Sequence, residues 1–257
     1  MNMVSPNRRL LLVLAFTLAI VLLAPFWGMV LISPRDLLQT GQGNGYIFWH
    51  LRLPRTLLAA GTGACLSLCG FLFQTLFRNP LASPYTLGVS GGASLGVMGA
   101  IKLGLTGTLA GWSLSGIAGF SGALATVFLI LALARWTGSP GVYSLLMAGV
   151  AVNFFCSALI LLLQYLLDLG QTLSALRWLM GEISPPSWPR LALFLGLLAL
   201  FFAATLFFHR ELSLTALGEE MARTRGLAVR RFRRGVFWGV SLMLGFLISL
   251  TGPIAFV

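Results

Sequence analysis

The sequence predicts an all-α protein, built as a polytopic bundle of transmembrane helices. Of its 257 residues, 58% are hydrophobic and 9% are charged, whereas a soluble domain is usually about 25% charged. The mean hydropathy is +0.92. The apolar residues form segments of about 20 residues, the length that an α-helix needs to cross a hydrocarbon core. Such segments favour helices over the alternating strands of about ten residues that build a membrane barrel.

About seven spans of this kind are predicted in chain order. They cover residues 10–32, 56–77, 87–103, 109–134, 142–167, 191–208 and 235–250. The first has about 22 apolar residues, against about 7 to 15 in a secretory signal peptide, so it is interpreted as a membrane span. Together the spans predict a single transmembrane domain over residues 1–257. The connections at 33–50 and 168–190 contain several glycines or prolines and are predicted to be irregular.

The second span is predicted to begin beside a proline. Pro54 has no N–H group to donate, which suits the first turn of a helix, so Arg52 and Arg55 are expected at the start of this span. Prolines after Asn79 and Ser83 disfavour helical backbone angles at those two residues. The chain is therefore expected to turn between the second and third spans.

The third span is rich in glycine. Gly88, Gly92 and Gly96 are spaced by four residues, a pattern that lets neighbouring helix backbones approach closely in membranes. A phosphate-binding loop is the alternative interpretation of these glycines. It is disfavoured because no predicted strand precedes them and the spacing of that motif is not met.

Residues 209–234 form the long polar stretch of the chain and include seven arginines. Within it, Leu214, Leu217 and Met221 fall on one face of a predicted helix over residues 214–227. Gly218 and Gly226 are expected to break this helix into short pieces.

The distribution of cations predicts the orientation. With the N-terminus inside, eleven of the 17 Lys and Arg side chains fall on the inner side and six on the outer side. An excess of cations inside predicts a cytoplasmic N-terminus. Because the cations lie between hydrophobic spans, the net charge of +11 indicates anchoring at the membrane surface, and no nucleic-acid partner is expected.

The residues that usually carry catalysis or bind metals are sparse. Cys65 and Cys69 are one helical turn apart within a span and are interpreted as small apolar residues rather than a redox or metal pair. With two histidines in the chain, no metal site is predicted. The only lysine, Lys102, is not part of an ATP-binding P-loop. The chain is therefore predicted not to be an enzyme.

The positions of the acidic residues bear on two classes of function, an ion-coupled carrier and an intramembrane enzyme. All six acidic residues fall in predicted loops, whereas ion-coupled carriers normally keep an acid inside a span. This position of the acids disfavours an ion-coupled secondary transporter, which is the alternative hypothesis for the chain. An intramembrane enzyme is disfavoured because the sequence has no convergent catalytic set.

Asn153 and Gln164 are polar residues inside the fifth span, where they line a pathway or form hydrogen bonds between helices. The sequence does not separate these two roles.

Three linked motifs resemble those of a known family. They are R-L-P-R at Arg52 to Arg55, Q-x-L-F-R-N-P-L-A-x-P at Gln74 to Pro84, and L-G-V-S-x-G-A-x-L-G at Leu87 to Gly96. This pattern is similar to that of the FecCD-type permeases, the membrane subunits of ATP-driven bacterial importers for iron–siderophores, haem and cobalamin. Members of that family usually have about ten spans, so the resemblance implies that the last quarter of the fold is lacking here.

The resemblance implies a permease that works with other chains. It implies an ABC ATPase subunit that binds ATP and Mg²⁺, an extracytoplasmic substrate-binding protein, and a second permease copy, identical or paralogous. No cofactor is expected in this chain itself. The expected location is the bacterial cytoplasmic (inner) membrane, and the expected cargo is an iron–siderophore or a related chelate, carried by alternating access.

The resemblance also implies roles for particular residues. Arg52 and Arg55 are expected to dock the binding protein, with anchoring at the membrane interface as the alternative. The pattern A-L-G-x-x-x-A-x-x-x-G within segment 209–234 is expected to couple to the ATPase, with an amphipathic loop on the membrane surface as the alternative. Its residues are Leu217, Gly218, Glu219, Glu220, Ala222, Arg223 and Gly226. The expected pathway or gate residues are Gln74, Asn79, Val142, Tyr143, Asn153 and Gln164.

Overall fold

The computed structural model describes residues 6–28, 30, 32–33, 43–80, 82–83, 88–105, 107–109, 112–136 and 142–254. By its internal contacts the chain divides into two compact units. The first comprises Met1–Gly63 and Ile183–Leu195, and the second comprises Ala64–Glu182 and Gly196–Val257. The predicted single domain over residues 1–257 stays a prediction.

The first unit begins with helix α1, Pro6–Leu23, which continues as a 3₁₀ turn, Ala24–Phe26. The predicted first span extended to residue 32, but Pro25 lies inside the turn and cannot continue the α-helical hydrogen bonds. Helix α2, Gly43–Tyr46, then leads through a π-helical stretch, Ile47–Arg52, into helix α3, Leu53–Phe77.

Pro54 is the second residue of α3, as predicted, but the chain before it is helical as well. It lies within a continuous helical run from Gly43 to Phe77. The preceding turn is widened, because the Leu53 N–H donates to the Phe48 carbonyl five residues before it. Such a π-type turn accommodates a proline ring, which clashes with the carbonyl four residues before it in a regular α-helix. The predicted irregular loop at 33–50 is therefore helical from Gly43 onward.

The second unit contains the rest of α3 and most of the remaining elements. Its helices are α4, Val89–Lys102; α5, Leu114–Trp136; α6, Val142–Leu166; α7, Leu169–Met180; the rest of α8, Trp188–Phe207; α9, His209–Leu217; α10, Glu219–Thr224; and α11, Val229–Thr251. A small antiparallel ribbon precedes α5. It pairs β1, Thr108–Leu109, with β2, Trp112–Ser113, and Thr108 lies opposite Ser113.

Within the described residues, six helices are long and apolar enough to cross a membrane. They include α1, α3, α5, α6, α8 and α11. The predicted third span corresponds to α4, which has 14 residues and is shorter than the about 20 that a bilayer crossing needs. The predicted fold class, an all-α polytopic bundle, is confirmed.

Helices α4 and α5 pack with their backbones in close approach. A Cβ atom placed on Gly92 would lie 2.7 Å from the Gly122 carbonyl oxygen, and one placed on Gly96 would collide with the Ala118 carbonyl. Only glycine fits at such distances. The predicted role of the glycines spaced by four is confirmed for Gly92 and Gly96, and α5 contributes Gly122 to the same contact.

Two predicted polar connections contain more helix than expected. Half of the predicted loop 168–190 is helix α7, which Asp168 precedes as the N-cap of a capping box. The Asp168 carboxylate accepts from the Gln171 N–H at 2.8 Å, and the Gln171 side chain accepts from the Asp168 N–H. Helix α11 begins at Val229 rather than at residue 235, so Arg230 and Arg231 belong to its first turn.

Candidate functional site

Five segments of the second unit surround a cavity of about 420 Å³. They are the end of α3, the start of α6, helices α9 and α10, and the start of α11. The side chains that line the cavity are Leu76, Phe77, Arg78, Tyr143, Thr215, Glu219, Val229 and Arg233. The cavity therefore brings a predicted coupling residue, Glu219, to the same place as a predicted gate residue, Tyr143.

The polar segment is broken where the sequence predicted. Gly218 ends α9 and precedes α10 with φ 142° and ψ 155°, and Gly226 follows α10 with φ 80°. Residues with a Cβ rarely adopt these positive φ values. The Gly218 carbonyl accepts from the Ala222 N–H at 3.0 Å and so holds the first turn of α10. Ala222 is fully buried, which fixes one face of this short helix.

Glu219 forms two ion pairs at the start of α10. Its Oε1 accepts from Arg223 Nη2 at 2.6 Å, one turn further along the same helix. Its Oε2 accepts from Arg233 Nη2 at 3.0 Å, which is on α11. The hydrogen bond from Arg233 is the main cause that lowers the pKa of Glu219, against an opposing effect of burial. Glu219 is therefore held as a carboxylate between two guanidinium groups.

The Arg233 side chain is only 4% exposed, whereas that of Glu219 is 38% exposed. A buried charge without a partner is costly, so Glu219 compensates Arg233 at the point where α11 begins. The pair thus connects the polar segment to a membrane-spanning helix.

Arg78 lies on the other side of the cavity. It follows the end of α3 with φ 51°, an uncommon conformation for a residue other than glycine. The turn is held by Gln74, whose carbonyl accepts from the Asn79 N–H at 3.3 Å and whose Nε2 donates to the Pro80 carbonyl at 3.1 Å. Arg78 Nη1 lies 3.7 Å from the position of a Cβ on Gly218. The end of α3 is thus next to the glycine between α9 and α10.

The predicted gate residues divide between two places. Tyr143 is 81% exposed and lines the cavity, while the Val142 side chain lies outside the described residues. Gln74 and Asn79 belong to the turn that carries Arg78. A gating role for these residues stays a prediction.

The two polar residues inside α6 lie away from the cavity. Asn153 faces α4, where a Cβ atom on Gly91 would lie 2.7 Å from Asn153 Oδ1. Gln164 is half-buried near the other end of α6. This geometry places Asn153 in the contact between helices, and a role for either residue in a pathway stays a prediction.

The two arginines of the first unit differ in their surroundings. The Arg52 guanidinium donates to the carbonyls of Pro25 at 3.3 Å, Phe26 at 3.4 Å and Val30 at 2.7 Å. It therefore satisfies backbone groups where α1 and its 3₁₀ turn end. Arg55 is exposed. Docking of a binding protein at these arginines stays a prediction, for which Arg55 has the more accessible side chain.

Arg233, Arg78 and Thr215 line the cavity but were not predicted as site residues. A signal for Arg233 was present in the sequence, since Val229, Arg233 and Phe237 are spaced by four. All three are buried on one face of α11. A charged residue on an apolar helical face needs a partner, and that requirement identifies Arg233 without a structure.

Comparisons with known proteins show the family of the chain. The sequence profile of the FecCD transport family matches residues 12–257. The vitamin B12 import system permease protein BtuC of Klebsiella pneumoniae is 38% identical over 249 residues, which cover 96% of this chain and 72% of that protein. The hemin transport system permease protein HmuU of Yersinia pestis is 32% identical over 258 residues, which cover 99% of this chain and 77% of that protein.

A third relative is the uncharacterized ABC transporter permease protein YvrB of Bacillus subtilis, which is 36% identical over 212 residues. That match covers 82% of this chain, and the chain spans 60% of the length of the Bacillus protein. A solved inward-facing structure of a metal-chelate type ABC transporter superposes with a TM-score of 0.78 at 27% identity, over 95% of this chain and 75% of that one. The chain belongs to the FecCD transport family.

Proposed function

We propose that this chain is the membrane-spanning permease subunit of a binding-protein-dependent ABC importer in the bacterial inner membrane, with its N-terminus in the cytoplasm. The observation that carries the proposal is the ion pair between Glu219 and Arg233 at 3.0 Å. It joins a short polar helix to a membrane-spanning one, which is what a subunit needs if it is driven by a separate ATPase. Family membership supports the same proposal.

In the proposed mechanism, the ATPase docks on the segment around Gly218. ATP and Mg²⁺ bind in that partner, and a displacement of α10 is passed to α11 through Glu219 and Arg233. Arg78, close to Gly218, passes the displacement to the end of α3. Helices α3, α4 and α6 then change which side of the membrane the pathway opens to, in a dimer of two permease chains.

The proposed cargo is a metal chelate or a tetrapyrrole. Relatives named for vitamin B12 and for hemin support this class. An iron–siderophore is the narrower proposal and rests on the family resemblance alone. A substrate-binding protein is proposed to deliver the cargo at the end of α3 that carries Arg55.

The ion-coupled carrier is not favoured as an alternative. The named relatives are permease proteins of a vitamin B12 import system and of a hemin transport system. Among the described residues, the acids also lie outside the membrane-spanning helices, at Asp168, Glu182, Glu211, Glu219 and Glu220.

The test is co-purification of the tagged chain from its native membranes in mild detergent, followed by mass spectrometry. We expect a stoichiometric ATPase subunit with a P-loop to accompany the wild-type chain. Gly218→Trp should purify without it, because the side chain would occupy the proposed docking segment. Gly104→Trp is the matched control for backbone strain, since Gly104 also has a positive φ, 64°, has no atom within 4 Å of its Cβ position and lies outside segment 209–234. A wild-type chain that purifies alone would contradict the proposal.

A further inference from the structure

A second cavity of the second unit lies between the end of α5 and the start of α11 and has a volume of about 440 Å³. Its lining combines three arginines with apolar side chains. The residues are Phe128, Leu131, Ala132, Arg135, Arg231, Arg234 and Trp238. None of these residues lines the first cavity, the one that contains Glu219 and Arg233.

The two helices that form this cavity are antiparallel neighbours. Near one end of the pair, a Cβ atom on Gly116 of α5 would lie 2.9 Å from the Ser249 carbonyl of α11. Near the other end, the rings of Phe128 and Trp238 meet edge to face with centroids 4.7 Å apart. Both helices are long and apolar enough to span a membrane. The arginines at their adjacent ends therefore lie at one boundary of the bilayer.

The three arginines have no acidic partner within the described part of the chain. Both ion pairs found there involve Glu219, and neither includes Arg135, Arg231 or Arg234. All three side chains are exposed. Arg231 and Arg234 also lie near the N-terminus of α11, the positive end of the helix dipole, where cations are unfavourable. An anion between the three guanidinium groups would offset both effects.

The shape of the cavity indicates the kind of anion. The Phe128 and Trp238 rings and Leu131 provide an apolar wall on the membrane side of the arginines. A free phosphate would leave this wall without an apolar partner, whereas a phospholipid places an acyl chain against it. Guanidinium groups bind phosphate oxygens in a bidentate manner, and basic pockets between transmembrane helices suit anionic head groups.

We propose that Arg135, Arg231 and Arg234 bind the phosphate of an anionic membrane phospholipid, with its acyl chain against Phe128 and Trp238. The site is distinct from the cavity that contains Glu219 and Arg233, but it uses the same first turns of α11 that carry Arg233. A bound lipid therefore stabilises the start of the helix that receives the ion pair from Glu219.

The test measures lipid binding to the purified chain in detergent micelles. Phosphatidylglycerol is titrated against phosphatidylcholine, with native mass spectrometry of retained lipid and the melting temperature as the two measurements. We expect phosphatidylglycerol to be retained and to raise the melting temperature of the wild type. The triple variant Arg135→Gln, Arg231→Gln, Arg234→Gln should bind it about tenfold or more weakly, because charge-assisted contacts are lost.

The control is a triple variant with the same change in net charge, Arg9→Gln, Arg177→Gln, Arg230→Gln, at exposed positions outside the cavity. We expect it to bind phosphatidylglycerol as the wild type does. The single variant Arg135→Gln, on α5, should show a smaller loss of phosphatidylglycerol binding. It replaces the triple variant in the test if the triple variant folds poorly. Equal binding by wild type and the cavity variants, or an equal loss in the control, would overturn the proposal. So would full stabilisation by inorganic phosphate without lipid, which would indicate a free-anion site.

Discussion

Arg233, at the start of α11, donates a hydrogen bond of 3.0 Å to Glu219 at the start of α10. The side chain of the arginine is buried and that of the glutamate is partly exposed to solvent. A buried charge without an ionic partner is costly, so this ion pair fixes the position of α10 relative to the membrane-spanning helix α11.

Glu219→Gln is expected to lower the free energy of unfolding by about 1–3 kcal/mol, since it leaves the buried Arg233 charge without its carboxylate partner. Denaturant unfolding in micelles measures the change. Glu220→Gln is the control, because Glu220 is exposed and forms no ion pair in the described residues. The double variant Glu219→Gln, Arg233→Gln should lose less than the sum of the two single variants. Additive losses would mean that the pair is not coupled.

The same pair predicts a pH dependence. Arg233 and Arg223 lower the pKa of Glu219 below that of an ordinary glutamate. Its contribution to stability is therefore fully present above that ordinary value and is lost as the pH falls through the lowered pKa. Melting temperatures at pH 7 and at successively lower pH should show the difference between wild type and Glu219→Gln shrinking in acid. A constant difference would contradict the prediction.

The contact between α4 and α5 should tolerate no side chain at Gly92. Gly92→Ala is expected to cost more than about 2 kcal/mol, because the new Cβ would meet the backbone of Gly122 and the Thr126 side chain. Gly99→Ala on the same helix has open space and should stabilise the chain by about 0.5–1 kcal/mol. Thermal unfolding of both variants tests this. A similar effect of the two substitutions would show that the helices are further apart.

Substitutions of Arg52 are expected to affect the stability of the chain, and substitutions of Arg55 its docking to the substrate-binding protein. Arg52→Gln is expected to lower stability by about 1–3 kcal/mol, since three carbonyl acceptors lose a charged donor. Arg55→Gln should leave stability unchanged, because its side chain is exposed. Arg55→Glu should weaken association with the substrate-binding protein in a pull-down assay if this end of α3 docks it. Unchanged association would count against that role.

Several features of the molecule were predictable because they depend on local pattern. Apolar length predicts a membrane span wherever it occurs, so the helical class followed from composition and segment length. Gly218 and Gly226 were predicted to break the polar helix, and they adopt φ values of 142° and 80°. The helical stretch before Pro54 was not predicted, because a widened turn, closed by Leu53 and Phe48, lets a helix continue through a proline.

The sequence by itself determined the fold class, the family, and the presence of a broken polar helix between two spans. These follow from hydropathy, motif and backbone preference, which act within a few residues. The tertiary structure alone decided that Glu219 pairs with Arg233 and that Arg78 lies next to Gly218. It also decided that Asn153 faces Gly91. Such contacts join residues far apart in the chain, and they depend on how helices pack, which no local preference specifies.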